Sequence, residues 1–267
     1  MNLLKQILIV FLLVTCTSYS QSVYKDVAKI NDSTDYYLEI GLFNKEEKKS
    51  ISKSILFTEK AISFAKNKQQ KNKLGIGYLQ LATIYFDIEK NELAIDNFIR
   101  AINVFDKKNP TTNLALAYYG LGKCYLKKNK IGVAEIYFEK AASLYEELNF
   151  YEAIELINLQ KGIINKEKRK FANATSILKS VIENLTEDTF ITTKTEAYFQ
   201  LGEIEMAQGN YTSAINYYNL ANKSNTNNKT DFGISKRILK QLSVGYEKAK
   251  NPDQSLVYLK KYSHLSD

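Results

Sequence analysis

A small residue recurs every 40 positions along this chain, at Ala82, Gly122, Gly162 and Gly202. A period held over that many steps points to repeated structural units, because each unit must pack against its neighbour in the same way. The surrounding residues recur with it. Tyr78, Leu81, Ala82 and Tyr85 are followed by Ala94, Phe98 and Ala101. Tyr118, Leu121, Gly122 and Tyr125 are followed by Ala134, Phe138 and Ala141. Tyr198, Leu201, Gly202 and Glu205 are followed by Ala214, Tyr218 and Ala221. Within each set the apolar residues fall three or four apart, the spacing of a helix with one buried stripe. Each period therefore holds two helices joined by a short polar turn such as "AQGNY" at 207–211. Only 2 prolines and 11 glycines interrupt the chain, which favours helices over a turn-rich β fold.

These offsets resemble the tetratricopeptide repeat, in which a large residue, Leu-Gly and Tyr mark the first helix and Ala and Phe the second. The resemblance implies an all-α, right-handed α-solenoid of about six helical hairpins. Three repeats are clear, within 75–147 and 195–223, and degenerate copies are expected at 35–68, 151–186 and 230–265. Around Gly162 the first helix has Lys161 and Asn165 where Leu and Tyr belong, yet Phe171, Ala174, Leu178 and Val181 keep the second-helix pattern. The last copy has Leu242, Ser243 and Tyr246, then Ser255 and Leu259; the first is centred on Ser54, Thr58 and Ala61. In such a stack the small residues mark the close crossing of two helices, and the Tyr and Phe positions are expected to fill the gap to the next hairpin. Loops are expected at 66–73, 106–113 and 222–231, and "NPDQ" at 251–254 reads as a helix start. The 40-residue period exceeds the minimal one of roughly 34 residues. It is similar to the extended repeats in sensor regions of bacterial histidine kinases.

The first twenty residues differ from the rest. Lys5 precedes the apolar run 7–14, and small polar residues including Ser18 and Ser20 follow it, the order of a secretory signal peptide. The run is short for a membrane span. The expected organisation is a signal at 1–20 and a solenoid over 21–267, in a periplasmic or extracellular location with no transmembrane span in the mature chain. Residues 13–16 resemble a lipobox ending at Cys16, so lipid anchoring stands beside cleavage after Ser20 as an outcome. Cleavage would leave Cys124 as the one cysteine, excluding an intramolecular disulfide.

Chemistry-bearing patterns are sparse. The single histidine, His264, lies near the C-terminus, which argues against Ser-His or Cys-His nucleophile pairs. No Cys/His cluster has metal-ligand spacing. Gly75 and Gly77 lie inside a repeat helix rather than a phosphate loop, and Glu46–Glu47 and Glu146–Glu147 read as solvated helix ends. Cys124 aligns with Ile84 and Ile204 and reads as core. The expectation is a binding protein, with no catalytic, cofactor or metal site.

Two surfaces stand out as candidates. The resemblance places first helices on a concave face, where Leu79, Phe86, Tyr119, Lys123, Leu126, Leu159, Phe199 and Met206 would form a partner groove for a peptide or helix. Of the residues a carboxylate clamp would require, Lys123 alone fits. The second surface is a basic edge of two turns one repeat apart, Lys127, Lys128 and Lys130 with Lys166, Lys168, Arg169 and Lys170. The chain carries +8; losing residues 1–20 removes Lys5 and no acid, leaving +7. Such an edge suits acidic partners or an anionic surface, and export makes nucleic acid the weaker target. The function expected is an exported protein-interaction scaffold; the alternative is a sensory module split or truncated from a histidine-kinase receptor.

Overall fold

A computed structural model describes residues 34–46, 50–185, 190–226 and 232–265; the expected signal, Cys16 and residues 227–231 lie outside them. Twelve α-helices, and no strand, occur among the described residues. They are α1 (Thr34–Glu46), α2 (Ile51–Asn67), α3 (Lys71–Asp87), α4 (Asn91–Val104), α5 (Thr112–Lys127), α6 (Ile131–Glu147), α7 (Tyr151–Glu167), α8 (Phe171–Asn184), α9 (Ile191–Ala207), α10 (Tyr211–Thr226), α11 (Phe232–Lys248) and α12 (Pro252–His264). None is long and apolar enough to cross a membrane.

The turns explain how so polar a sequence stops and restarts its helices so tightly. Gln69, Glu89, Asn129, Asn149, Arg169, Gly209 and Lys250 all have positive φ, between 53° and 82°. Each is followed by a residue whose N–H reaches back five positions to a helix carbonyl, as Lys130 N does to Tyr125 O (2.9 Å) and Asn210 N to Glu205 O (2.9 Å). This is a Schellman closure, which satisfies the last carbonyls and reverses the chain in three residues. The expected loop at 66–73 is accordingly shorter than its polarity suggests, since α2 runs to Asn67 and α3 begins at Lys71. Two helices are also capped by side chains. Ser50 Oγ accepts from Lys53 N, and Asn251 Oδ1 accepts from Gln254 N with Pro252 in the first turn, as the NPDQ pattern predicts.

After α4 the chain leaves differently. Phe105 is extended (φ −64°, ψ 142°), and the segment containing Pro110 carries no helix until Thr112. Two compact units divide there, between Asp106 and Lys107. In the first, α1 to α4 pack in sequence, and Gly75 lies under the Phe105 ring: a Cβ there would stand 2.6 Å from it. In the second, α5 to α12 pack in sequence and the first helices α7, α9 and α11 also touch one another.

Within the first three hairpins of the second unit, the period-40 glycine receives the second helix; the fourth has Ser243 there. A Cβ on Gly122 would stand 2.6 Å from the Phe138 ring, and one on Gly162 would stand 2.7 Å from Leu178; on Gly202 it would collide with Tyr218. The Phe position therefore fills its own hairpin, not chiefly the gap to the next. The same correction applies to the tyrosines: Tyr125 stacks on Tyr137 of its own hairpin at 5.5 Å and 4°, as Tyr246 does on Tyr258. The physical reason is that glycine opens a notch only one ring deep, and the ring nearest in sequence occupies it.

Candidate partner-binding face

The first helices of the second unit, α5, α7, α9 and α11, carry the candidate face. On α5, Leu116, Tyr119 and Lys123 fall at i, i+3 and i+7 and so share one stripe. Leu116 is 40% exposed, Tyr119 and Lys123 are half-buried, and the Lys123 ammonium lies 5.6 Å from the Tyr119 ring centre. Leu126 follows, packed at one edge against the cluster around Phe138 and Ile157.

Polar bonds run from each first helix to the next. Gln160 of α7 donates to the Tyr119 hydroxyl of α5 (3.2 Å). Lys166 of α7 donates to Gln200 Oε1 of α9 (2.7 Å), and Gln200 Nε2 donates to Glu196 Oε1 (2.7 Å). Arg237 of α11 then grips Glu196 with two bonds, at 2.9 and 3.0 Å, and its guanidinium lies 4.3 Å from the centre of the Phe199 ring. Arg237 is half-exposed, so this pair contributes at most about 1 kcal/mol. Its planar fork fixes the register of α11 on α9 more than it stabilises the fold. The first unit repeats the arrangement: Gln80 of α3 donates to the Leu38 carbonyl of α1 (3.1 Å), and Lys73 pairs with Asp35 (2.6 Å).

The structure corrects part of the expected groove. Leu79, Leu159 and Phe199 are only 3–5% exposed and pack between helices, because their positions turn toward the neighbouring first helix. They are core and do not line an open surface. Phe86, Tyr119, Lys123, Leu126 and Met206 are half-buried and retain exposed area. Lys166 belongs to the polar chain of this face and not to the basic edge. Of the other edge residues, Lys127, Lys128, Lys130, Arg169 and Lys170 are exposed, while Lys168 is paired with Glu135 of α6 (2.8 Å) and Arg169 lies over Phe171. The edge is thus a mixed-charge surface at its second turn.

Gln80, Gln160 and Gln200 were the missed residues. They fall in the 40-residue register, each one residue before the repeat's Leu position, with Gly120 at the intervening step. Gln160 and Gln200 are 5–6% exposed, so their amides must be bonded internally.

Other polar groups serve packing. Cys124 is fully buried, and burial pushes its thiol up to about 12 despite the nearby Lys123 and Lys127. Burial first, and then the bond and charge of Glu203, push the Tyr218 phenol up; its hydroxyl donates to Glu203 Oε1 (2.6 Å). The buried Glu155 accepts from Asn158 (3.2 Å) and from Asn184 (2.9 Å). His264 is exposed in the last turn of α12. Among the described residues no group of three or more His, Cys, Asp or Glu side chains converges as a metal site would require.

Family models of the tetratricopeptide repeat match residues 74–147 and 195–228, the segments with the clearest 40-residue signature. The chain is a tetratricopeptide-repeat protein. The solved structures agree at the level of fold. NprR in complex with its cognate peptide NprX superposes with a TM-score of 0.70 at 13% identity, covering 91% of this chain and 71% of that one. The anaphase-promoting-complex assembly Cut9-Hcn1 gives 0.68 at 16%, covering 92% and 43%. PilW, a type IV pilus biogenesis factor, gives 0.60 at 16%, covering 85% and 91%. No curated protein sequence matches. Alongside the small-residue notch, this tetratricopeptide-repeat protein has glutamine bonds between its first helices.

Proposed function

We propose that this chain is an exported interaction scaffold that holds a partner peptide or helix along the first helices of its second unit. The observation that carries the reading is the polar chain Lys166–Gln200–Glu196–Arg237, which orders side chains across three consecutive first helices before any partner arrives. A face ordered in advance loses little side-chain freedom on binding, so more of the contact energy appears as affinity. Beside it, the half-exposed Leu116, Tyr119 and Lys123 give apolar contact area with a cation at one end. The similarity to NprR, which binds its cognate peptide, supports a peptide or a short helix as the occupant. It also favours, as a second reading, a regulatory role in which the bound peptide is a signal. The exposed Lys127, Lys128, Lys130 and Lys170 would favour acidic residues on the partner or an anionic surface beside it.

The test is capture from an envelope extract on immobilised residues 21–267, beside a variant carrying Leu116→Glu and Lys123→Glu. Both positions retain exposed area, so helicity by circular dichroism should be unchanged. The reading expects a protein enriched by the wild type and lost by the folded variant. Equal capture by both would remove this face from consideration.

A further inference from the structure

The last hairpin exposes a position that every earlier hairpin of the second unit buries. Phe138, Leu178 and Tyr218 occupy one register position and are 0–1% exposed; Leu259, one step later, is 49% exposed. Ile215 is 7% exposed, whereas its counterpart Leu256 is 52% exposed. The reason is visible in the preceding hairpin, where Ile215 and Tyr218 share a core with Ile234, Ile238 and Leu242 of α11. Among the described residues, α12 has no such helix laid upon it, and none of its residues is buried. A groove of about 710 Å³ opens there, lined by Lys240, Ser243, Val244 and Glu247 of α11 and by Leu256, Leu259 and Tyr262 of α12. Leu256 and Leu259 stand at the register positions of Ile215 and Tyr218, which receive α11 one hairpin earlier.

The charge around this cleft is one-sided. Between Phe232 and His264, Arg237 is taken up by Glu196 of α9, and six lysines remain against two acids, Glu247 and Asp253. Lys240 and Lys250 stand exposed at the groove itself. Two copies of so basic a surface would repel one another, and a helix with acidic flanks would be drawn in.

We infer that this face of α11 and α12 docks an amphipathic helix of another protein, one with an apolar stripe and acidic side chains on either side of it. That helix continues the stack by one element, its stripe covering Leu256 and Leu259 and its carboxylates meeting Lys240 and Lys250. The site shares α11 with the face formed by the first helices but uses other residues of it, together with α12.

The probe is a fluorescein-labelled designed helix of about 18 residues, with Leu at helical spacing and Glu elsewhere, compared with the same helix carrying Lys for Glu. Fluorescence anisotropy against the purified chain should show the acidic helix binding at least about ten-fold more tightly, with affinity falling as salt rises. Leu256→Ala with Leu259→Ala should weaken it about ten-fold, as should Lys240→Glu with Lys250→Glu, both without loss of helicity because these side chains are exposed. Equal affinity for the two helices, or indifference to both variants, overturns the inference. So does self-association of the chain that Leu256→Ala with Leu259→Ala abolishes, since a second copy would then be the occupant.

Discussion

Gly122 and Gly209 are both glycines for opposite reasons, and substitution separates them. At Gly122 the backbone is ordinary helix and the space is missing: a Cβ would stand 2.6 Å from the Phe138 ring. The hairpin of α3 and α4 carries Ala82 and Phe98 at the same positions, both buried, so one methyl can be accommodated there by a shifted ring. Gly122→Ala should therefore cost little, while Gly122→Val should destabilise by about 2–3 kcal/mol through overpacking. At Gly209 nothing lies within 4 Å of the added Cβ, but φ is +82°. Gly209→Ala should cost about 1 kcal/mol through the backbone alone. Urea midpoints of the three variants check the ordering. Thr58 offers the reverse case. Its hydroxyl is buried without a hydrogen-bond partner, so Thr58→Val should raise stability by about 1 kcal/mol in the same assay. The small residues were legible in the sequence because they recur. The unbonded Thr58 hydroxyl was not, because pairing depends on neighbours that sequence spacing does not place.

At the scale of elements, the left-handed turn residue is the joint of the fold. Asn or Gly at such a position announces itself, as at Asn129, Asn149 and Gly209, whereas Gln69, Glu89, Arg169 and Lys250 adopt the same conformation at a cost of about 1 kcal/mol each. Those four were hidden because the Schellman bonds around them compel the conformation, whatever the residue's preference. Gln69 is exposed, so Gln69→Gly should raise the urea midpoint, by about 0.5–1 kcal/mol in stability, and Gln69→Val should lower it. The burial of Leu159 and Phe199 has a related origin. The repeat pattern places Leu159 and Phe199 on the right side of their helices, but whether that side faces solvent or the next first helix depends on how closely α7, α9 and α11 approach. The glutamines Gln160 and Gln200 mark that close approach, and their 40-residue recurrence made it readable in principle.

For the molecule as a whole, the hairpin architecture was legible from a single period, while its division between Asp106 and Lys107 was not, since the sequence there reads only as another loop. The buried phenols of Tyr145 and Tyr218, the half-buried one of Tyr119 and the buried Cys124 thiol set its response to alkali. Cys124 is raised from 9.0 to about 12 by burial, and burial raises Tyr119, Tyr145 and Tyr218 above 10.0. The unfolded chain releases these protons first, so stability is fully present below about pH 9 and falls as pH rises beyond it, by about 1.4 kcal/mol per pH unit for each group titrating. Urea midpoints between pH 7 and pH 11 should be flat and then decline, less steeply in Cys124→Ala. A midpoint rising over that range would contradict the burial described. A partner on the first helices should leave its mark on backbone exchange. Hydrogen–deuterium exchange on the chain with and without its captured partner would locate it directly. Added protection is expected on α5, α7, α9 and α11, with α6, α8 and α10 unchanged. Protection confined to the second helices or to the turns would place the partner elsewhere and contradict it.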